Sequence, residues 1–355
     1  MFLGSEQTDV QPDVMLYRSC FCFVSSNEWY EISTVNFCST LMKLALKLSD
    51  VGNFKRILGF VLSVRKQCIF KFKANELNII SVDRESPLIW GTIGSANFSR
   101  FDVIAKDECI GLELNVEPLF QIMKNFEKAP VTSDLIIKLQ RGEESNTPKD
   151  NSSKRKRPVF LHLSYNEDIT CTSEISHSFS IPVSLLRGKL IERIQMPPIH
   201  NVELIADMNQ TLISFFMRIE RYKAIDNINV VMNRLGEIKI ELKDEGKKIS
   251  LKWKSLLDTC SPEEVDALTR TDTETPATHV ANNQENNDIR NKDLNMIKEI
   301  TVKVKSRWWN LASKLIELCD TLQMYIYEDG CVFNCHVEDE QSCSLLYYLP
   351  GKLLD

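Results

Sequence analysis

The sequence predicts an α+β fold made of two similar halves. Alternating apolar and polar residues mark short strands over most of the chain from Met42 onward, and four amphipathic stretches interrupt them. The order of strand, helix and then several strands occurs four times, twice in each half.

The first unit opens with the strand MKLALKLS at Met42, followed by the helix NFKRILGFVLSVRK and the strands CIFKFK, LNIISV and LIWGTI. The second runs through FDVIA and IGLELN to the helix EPLFQIMKNFEK, then DLIIKL, VFLHLSY and SHSFSIPV. The stretch RGKLIERIQMPPIH, residues 187–200, carries Pro197 and Pro198 and reads as a connector. The order then restarts with NVELIADM, the helix LISFFMRIERYKA, and INVVMN, EIKIEL and KISLKW. The last unit is IKEITVKV, the helix SRWWNLASKLIELCD, and LQMYIY, CVFNCHV and SLLYYLP. The expected organisation is an N-terminal extension at 1–41, a first domain at 42–186, the connector, and a second domain at 201–355. Met42, where the alternation MKLALKLS begins, is the expected functional start, and the extension, which contains no lysine, is expected to be disordered or an artefact of the gene model.

Composition bounds the class of protein. At 355 residues, 43% hydrophobic and 26% charged, the chain is long enough for two cores. No apolar run approaches the roughly 20 residues of a membrane helix, and the N-terminus carries acids rather than a positive leader, so an intracellular protein with no membrane partner is expected. Eleven cysteines lie largely in apolar runs such as CIF and LIELCD, where reduced thiols pack as small hydrophobes.

The formal charge of −6 is unevenly placed. Residues 1–41 carry −4 and residues 258–296 carry −6, which leaves +4 for everything else. The stretch 258–296 is rich in Thr, Asn, Asp and Glu without periodicity and reads as a disordered acidic loop; 141–158, RGEESNTPKDNSSKRKRP, reads as a shorter basic insert. By contrast, the four helices sum to +7. Their polar stripes are Lys55, Gly59, Ser63 and Lys66; Gln121, Lys124, Asn125 and Lys128; Ser214, Arg218 and Arg221; and Arg307, Asn310 and Lys314. One such stripe is an ordinary solvated face. Four together are harder to dismiss, because they concentrate the basic charge of an acidic chain on its helices.

Several phrases carry a resemblance: SHSFSIPVSLL with the following RIQMPPI, FFMRIERY, LELNVEPLFQIMKNFE, and CVFNCHV ahead of LLYYLPGK. Over Met42 to about Lys352 the chain resembles the DNA-damage checkpoint sliding clamp of the nine-one-one type, in its Hus/Mec-type subunit and fungal form. The resemblance implies a PCNA-like sliding-clamp fold, with three different subunits closing into a ring, sheets outside and helices inside facing duplex DNA. A clamp that slides should touch phosphates and avoid base readout. The expected DNA-facing residues are Lys55, Arg56, Lys66, Lys124, Lys128, Arg218, Arg221, Arg307 and Lys314. The resemblance also implies subunit seams at the sheet edges SHSFSIPV and KISLKW, with Ser178, Phe179, Ile181, Ile249 and Leu251 at the interface. Two related clamp subunits, a checkpoint clamp loader and a checkpoint kinase pathway are the implied partners, and no cofactor is implied.

No catalytic constellation emerges. The five histidines form no H-E-x-x-H pair, and no glycine-rich phosphate cradle occurs. Cys331, Cys335, His336 and Cys343 offer zinc-type ligands, but Cys331 and Cys335 on one strand face stand about 13 Å apart at strand rise, far beyond a shared Zn–S distance of about 2.3 Å. Packed strand cysteines are expected instead. In RWW, Trp308 is expected on the apolar helix face, in the core rather than stacked on bases. Lys154, Arg155, Lys156 and Arg157 read equally as a nuclear-localisation cluster or a solvated charge run. The expectation is thus a non-enzymatic, nuclear subunit of a heterotrimeric checkpoint clamp. A replicative-type homotrimeric clamp and an enzyme with an unrecognised site are the alternatives.

Overall fold

The structure, a computed structural model, describes residues 42–81, 87–105, 108–129, 133–142, 158–170, 173–186, 188–222, 224–244, 246–260, 298–337 and 342–354. These belong to one compact unit. The N-terminal extension, the body of the basic insert with Lys154 to Arg157, and the acidic stretch 261–296 lie outside the described residues.

In the first half the elements are β1 (Lys43–Leu48), α1 (Gly52–Val64), β2 (Gln67–Phe72), β3 (Glu76–Ser81), β4 (Leu88–Gly94), β5 (Arg100–Ile104), β6 (Ile110–Asn115), α2 (Val116–Lys128), β7 (Leu135–Arg141), β8 (Val159–Thr170) and β9 (Ser173–Leu185). A short helix, α3 (Gly188–Arg193), occupies part of the expected connector. The second half repeats the order with β10 (Val202–Asp207), α4 (Ile213–Ile219), β11 (Asn227–Met232), β12 (Ile238–Asp244), β13 (Lys247–Lys252), β14 (Thr259–Cys260), β15 (Ile300–Lys305), α5 (Ser306–Leu318), β16 (Thr321–Tyr327), β17 (Gly330–His336) and β18 (Cys343–Leu354).

All described strand pairs are antiparallel. One sheet of the first half runs β5-β1-β7-β8-β9 and the other β6-β2-β3-β4. The second half repeats both, as β14-β10-β16-β17-β18 and β15-β11-β12-β13. Where the last strand of each half meets the other sheet, the registers correspond. Leu112 of β6 faces Leu185 of β9 as Val302 of β15 faces Leu353 of β18. On that correspondence Ile181-Pro182-Val183-Ser184-Leu185 is the counterpart of Leu349-Pro350-Gly351-Lys352-Leu353. The halves are joined by main-chain pairing of β4 with β18, from Leu88 opposite Tyr348 to Ile93 opposite Cys343. The result is a nine-strand sheet, β6-β2-β3-β4-β18-β17-β16-β10-β14, crossing from one half to the other.

The helices cover one face of these sheets. They lie side by side in the order α2, α1, α5, α4, so that α1 and α5 meet where the halves join. One hydrophobic core runs beneath all four. Aromatic rings mark its path: Phe60 of α1 meets Tyr347 of β18 edge-on at 5.4 Å, Tyr347 leads to Phe333, and Trp309 stands between Phe333 and Phe216. Gly59, expected in a polar stripe, instead lets α1 and α2 approach. A methyl group there would stand 3.3 Å from the Phe120 ring.

The opposite face of the central sheet is apolar as well. Ile80, Trp90, Val332 and Tyr348 form a second cluster, packed by Ile194 and Ile199 of the connector. Lys71 Nζ donates to the carbonyls of Ile191 and Ile194, and Tyr348 Oη donates to that of Pro197, which ties the connector down. Burial on both faces explains why ELNIIS in β3 reads as nearly continuous apolar sequence rather than as an alternation.

Three expectations are corrected. The helix read over 212–224 is α-helical only at 213–219, flanked by 3₁₀ turns at Gln210–Leu212 and Glu220–Tyr222. The acidic loop begins later than 258, because Thr259 and Cys260 pair with Ala206 and Ile205. Within RWW the core residue is Trp309, fully buried with Ala312 and Ile316. Trp308, one position and about 100° away on the helix, sits half-buried at the core margin under the Arg307 guanidinium, 4.2 Å from the ring centre. Trp309→Ala should therefore lower unfolding free energy by about 3–5 kcal/mol in denaturant titration, in line with large-to-small core substitutions, whereas Trp308→Ala should cost clearly less.

Candidate nucleic-acid interface

Asn115 fixes the start of α2 by accepting a hydrogen bond from the Glu117 amide at 3.0 Å. Its apolar stripe, Val116, Leu119, Ile122, Met123 and Phe126, is buried, which leaves Lys124 and Lys128 one turn apart on the solvent side. In α5 the buried residues Trp309, Ala312, Leu315 and Ile316 turn Arg307 and Lys314 outward. In α4 the burial of Phe215, Phe216 and Ile219 exposes Arg218, with Arg221 exposed in the following turn. Met217, just before Arg218, is also exposed, an apolar residue the polar stripe did not announce.

The nine cations expected from sequence separate into two groups. Lys124, Lys128, Arg218, Arg221, Arg307 and Lys314 are exposed and make no ion pair among the described residues. The other three are held by neighbours. Lys55 pairs with Glu127 of α2, and Lys66, just beyond the end of α1, pairs with Glu117 at 2.8 Å. Arg56, half-buried, donates to the Leu318 carbonyl at the C-terminal end of α5, where a cation satisfies an orphan acceptor and meets the negative end of the helix dipole. These contacts brace α1 against α2 and α5.

The expected seam residues lie on the two strands at the limits of the sheets. Among the described residues β13 pairs only with β12, and β9 pairs with β8 along one side and with β6 only at Ser184 and Leu185. Ser178 is exposed, and Phe179, Ile249 and Leu251 are partly buried against the core. Ile181 differs. It is 3% exposed and faces Leu161 inside the core, so it offers nothing to a partner. Sequence reading passed over His177, which stacks on Tyr165 at 4.5 Å and pairs with Glu167 at 2.9 Å. Its place in SHSFS, between two serines on an alternating strand, was the available signal.

The cysteines near the C-terminus serve the core. Cys331 and Cys335 are fully buried on β17, and burial pushes the Cys331 thiol up to about 12. Cys343 donates to Asn97 Oδ1 at 3.3 Å. Among the described residues no group of three or more His, Cys, Asp or Glu is arranged around a metal position, and no helix is long and apolar enough to cross a membrane.

Replacing Arg56 by Ala should destabilise the protein by about 1–2 kcal/mol, as expected for a charge-assisted hydrogen bond at a helix end. The shift would be read from the denaturation midpoint at constant slope.

Comparison with solved structures shows the fold. Proliferating cellular nuclear antigen from Entamoeba histolytica matches over 88% of this chain and 100% of its own, with a TM-score of 0.55 and 13% identity. PCNA from Thermococcus kodakaraensis matches over 87% of this chain and 100% of its own, also at 0.55, with 10% identity. The fold is thus that of the PCNA-like clamp. Among curated proteins, the DNA damage checkpoint control protein MEC3 of Saccharomyces cerevisiae is 24% identical over 272 residues, which is 57% of this chain. The chain spans only 56% of that relative's length. The family model described as Hus1-like protein matches residues 42–352, from the first residue of the described fold into its last strand. On that match the chain belongs to the Hus1-like protein family.

Proposed function

We propose that this chain is a non-enzymatic subunit of a heterotrimeric DNA-damage checkpoint sliding clamp, which encircles duplex DNA without reading its sequence. The observation that carries this reading is the layer α2-α1-α5-α4, whose solvent face presents six cations free of ion pairs among the described residues, in a chain of net charge −6. Rigid helices hold these charges over the surface instead of inserting them into a groove, which suits contact with phosphates during sliding. Membership of the Hus1-like family and the likeness to MEC3 support the checkpoint assignment. Two related subunits, a clamp loader and a checkpoint kinase pathway are the proposed partners, and the nucleus is the proposed location, with Lys154 to Arg157 as a candidate address. The open edges of β9 and β13 are the proposed seams, since unpaired strand edges recruit further strands.

Two outcomes test the reading on the clamp assembled with its co-purified partner chains. Replacing Lys124, Lys128, Arg218, Arg221, Arg307 and Lys314 by Ala should leave folding nearly unchanged, because exposed substitutions usually alter stability by only about 0.5 kcal/mol. It should flatten the dependence of log K on log salt for closed rings on duplex DNA, by roughly 0.9 for each phosphate no longer neutralised. An unchanged slope defeats the assignment of this face. Arg56→Ala, in contrast, should leave the slope as it is. At the seam, Phe179→Asp should fold yet bind the partner chain at least tenfold more weakly in pull-down titration, and equal binding would remove β9 from the interface.

A further inference from the structure

The sheet β15-β11-β12-β13 turns a basic face away from the helices. Alternation with the buried Ile228, Val230, Val302 and Val304 sets Asn227, Asn229, Lys303 and Lys305 on this face. Lys352 of β18 stands opposite Lys303, and Glu241 and Lys243 of β12 lie on the other side of β11. Carried across the corresponding rungs of the first half, Lys303, Lys305 and Lys352 become Glu113, Asn115 and Ser184, and Asn229 becomes Ile69. The fold itself therefore does not require these lysines.

Two pairs of lysines are directly opposed, Lys303 with Lys352 and Lys243 with Lys248. Like charges at opposed positions destabilise a sheet. Lys248 is relieved by Glu241 at 3.1 Å. Lys243, Lys303, Lys305 and Lys352 are exposed and make no ion pair among the described residues. Between them a groove of about 470 Å³ runs along β11. Asn227 and Asn229 form its floor, Lys243 and Lys303 its sides, and Ile225 and Leu354 add apolar surface. Beyond Asn229 the next residue on this face, Val231, is buried, and there Lys239 of β12 pairs with Glu299 just ahead of β15 at 3.3 Å. Two carboxylates, Asp226 and Glu241, also line the groove, and Glu241 is neutralised by Lys239 and Lys248.

We infer that this groove binds an extended acidic peptide of a partner protein, with carboxylate side chains held between Lys243 and the opposed pair Lys303 and Lys352. Strands β12 and β15 stand two strand spacings, about 9.6 Å, apart, which leaves room for one peptide chain between their lysines. Its carboxylates relieve the opposed cations, and its amides meet Asn227 and Asn229. Duplex DNA suits the face less well. Its evenly spaced phosphates would meet Asp226 and Glu241 as well as the lysines, and its backbone has nothing apolar to set against Ile225 and Leu354. The helix layer lies on the other side of the sheet, so the groove and the proposed DNA-facing surface are separate.

Fluorescence anisotropy on the full chain tests the inference with a labelled peptide that alternates Glu and Thr, and with its Gln and Thr counterpart. Only the Glu peptide should bind. Lys303→Gln combined with Lys352→Ser should weaken binding about tenfold and Lys243→Gln about threefold, the scale of exposed ion pairs. Because these changes dissolve opposed like charges, the denaturation midpoint should stay or rise. Asn229→Ile, which installs the side chain of the first-half position and alters no charge, should weaken binding as much as the double variant by filling the groove. The Ala substitutions on the helix layer should leave peptide binding unchanged. Equal binding of the Gln peptide overturns the inference, as does binding lost with the helix substitutions and kept with the groove substitutions. A fall in the midpoint of the lysine variants assigns these residues to the fold and also overturns it. Groove substitutions that weaken duplex DNA as much as the peptide make nucleic acid the ligand instead. Peptide binding that appears only after the acids of 261–296 are changed to Asn and Gln makes that stretch of the chain the occupant, and the partner peptide is then ruled out.

Discussion

Main-chain pairing between β4 and β18 is the constraint on which the rest of the structure depends. It converts two repeats into one body with a sheet that crosses between them. Because Tyr347 and Leu345 enter that seam from one strand and Ile89 from the other, the core is continuous beneath it. Continuity of the core brings α1 alongside α5, and Arg56 can then reach the end of the neighbouring helix. Both faces of the seam are apolar, which leaves the outer one needing cover. The connector provides it, held by the Lys71 ammonium and the Tyr348 hydroxyl.

Charge on the helix layer divides by depth. Cations near the junctions between helices are consumed in holding those junctions, and cations beyond them remain available to a ligand. The layer is therefore less basic toward solvent than the helix sequences alone suggest, since Glu117 and Glu127 neutralise Lys66 and Lys55. What remains is spread over α2, α4 and α5, with α1 acting chiefly as a structural element between them. Such a distribution favours diffuse attraction over tight anchoring at any one point.

Much of this was legible in the sequence, for identifiable reasons. Strands such as KLALKL declare themselves because one face is buried and the other wet, and α2 does so through an apolar stripe at helical spacing. Legibility failed where the deciding partner is far away in the chain. Nothing local shows that Lys55 meets a residue 72 positions on, or that Arg56 meets one 262 positions on. Gly59 looked polar by default, yet its place is set by the ring of Phe120. The helix expected at 212–224 outruns the observed one because 3₁₀ turns nearly share its three-residue spacing, so the apolar pattern continues where the α-helix does not. The phrases SIPVSLL and YLPGK stand in different halves, and their equivalence shows only when the ladders are laid side by side.

The internal seam also has a consequence for how any larger assembly breaks. Strands β4 and β18 belong to one polypeptide, so their encounter is set by tethering, at an effective concentration in the millimolar range or above, and dilution does not part them. An edge that meets another chain has no such tether, and its occupancy follows the abundance of the partner. Two joints built on the same strand pairing would thus respond oppositely to dilution. The joint inside the chain is permanent for the life of the fold, and a joint at the proposed seams would be the one that dilution opens.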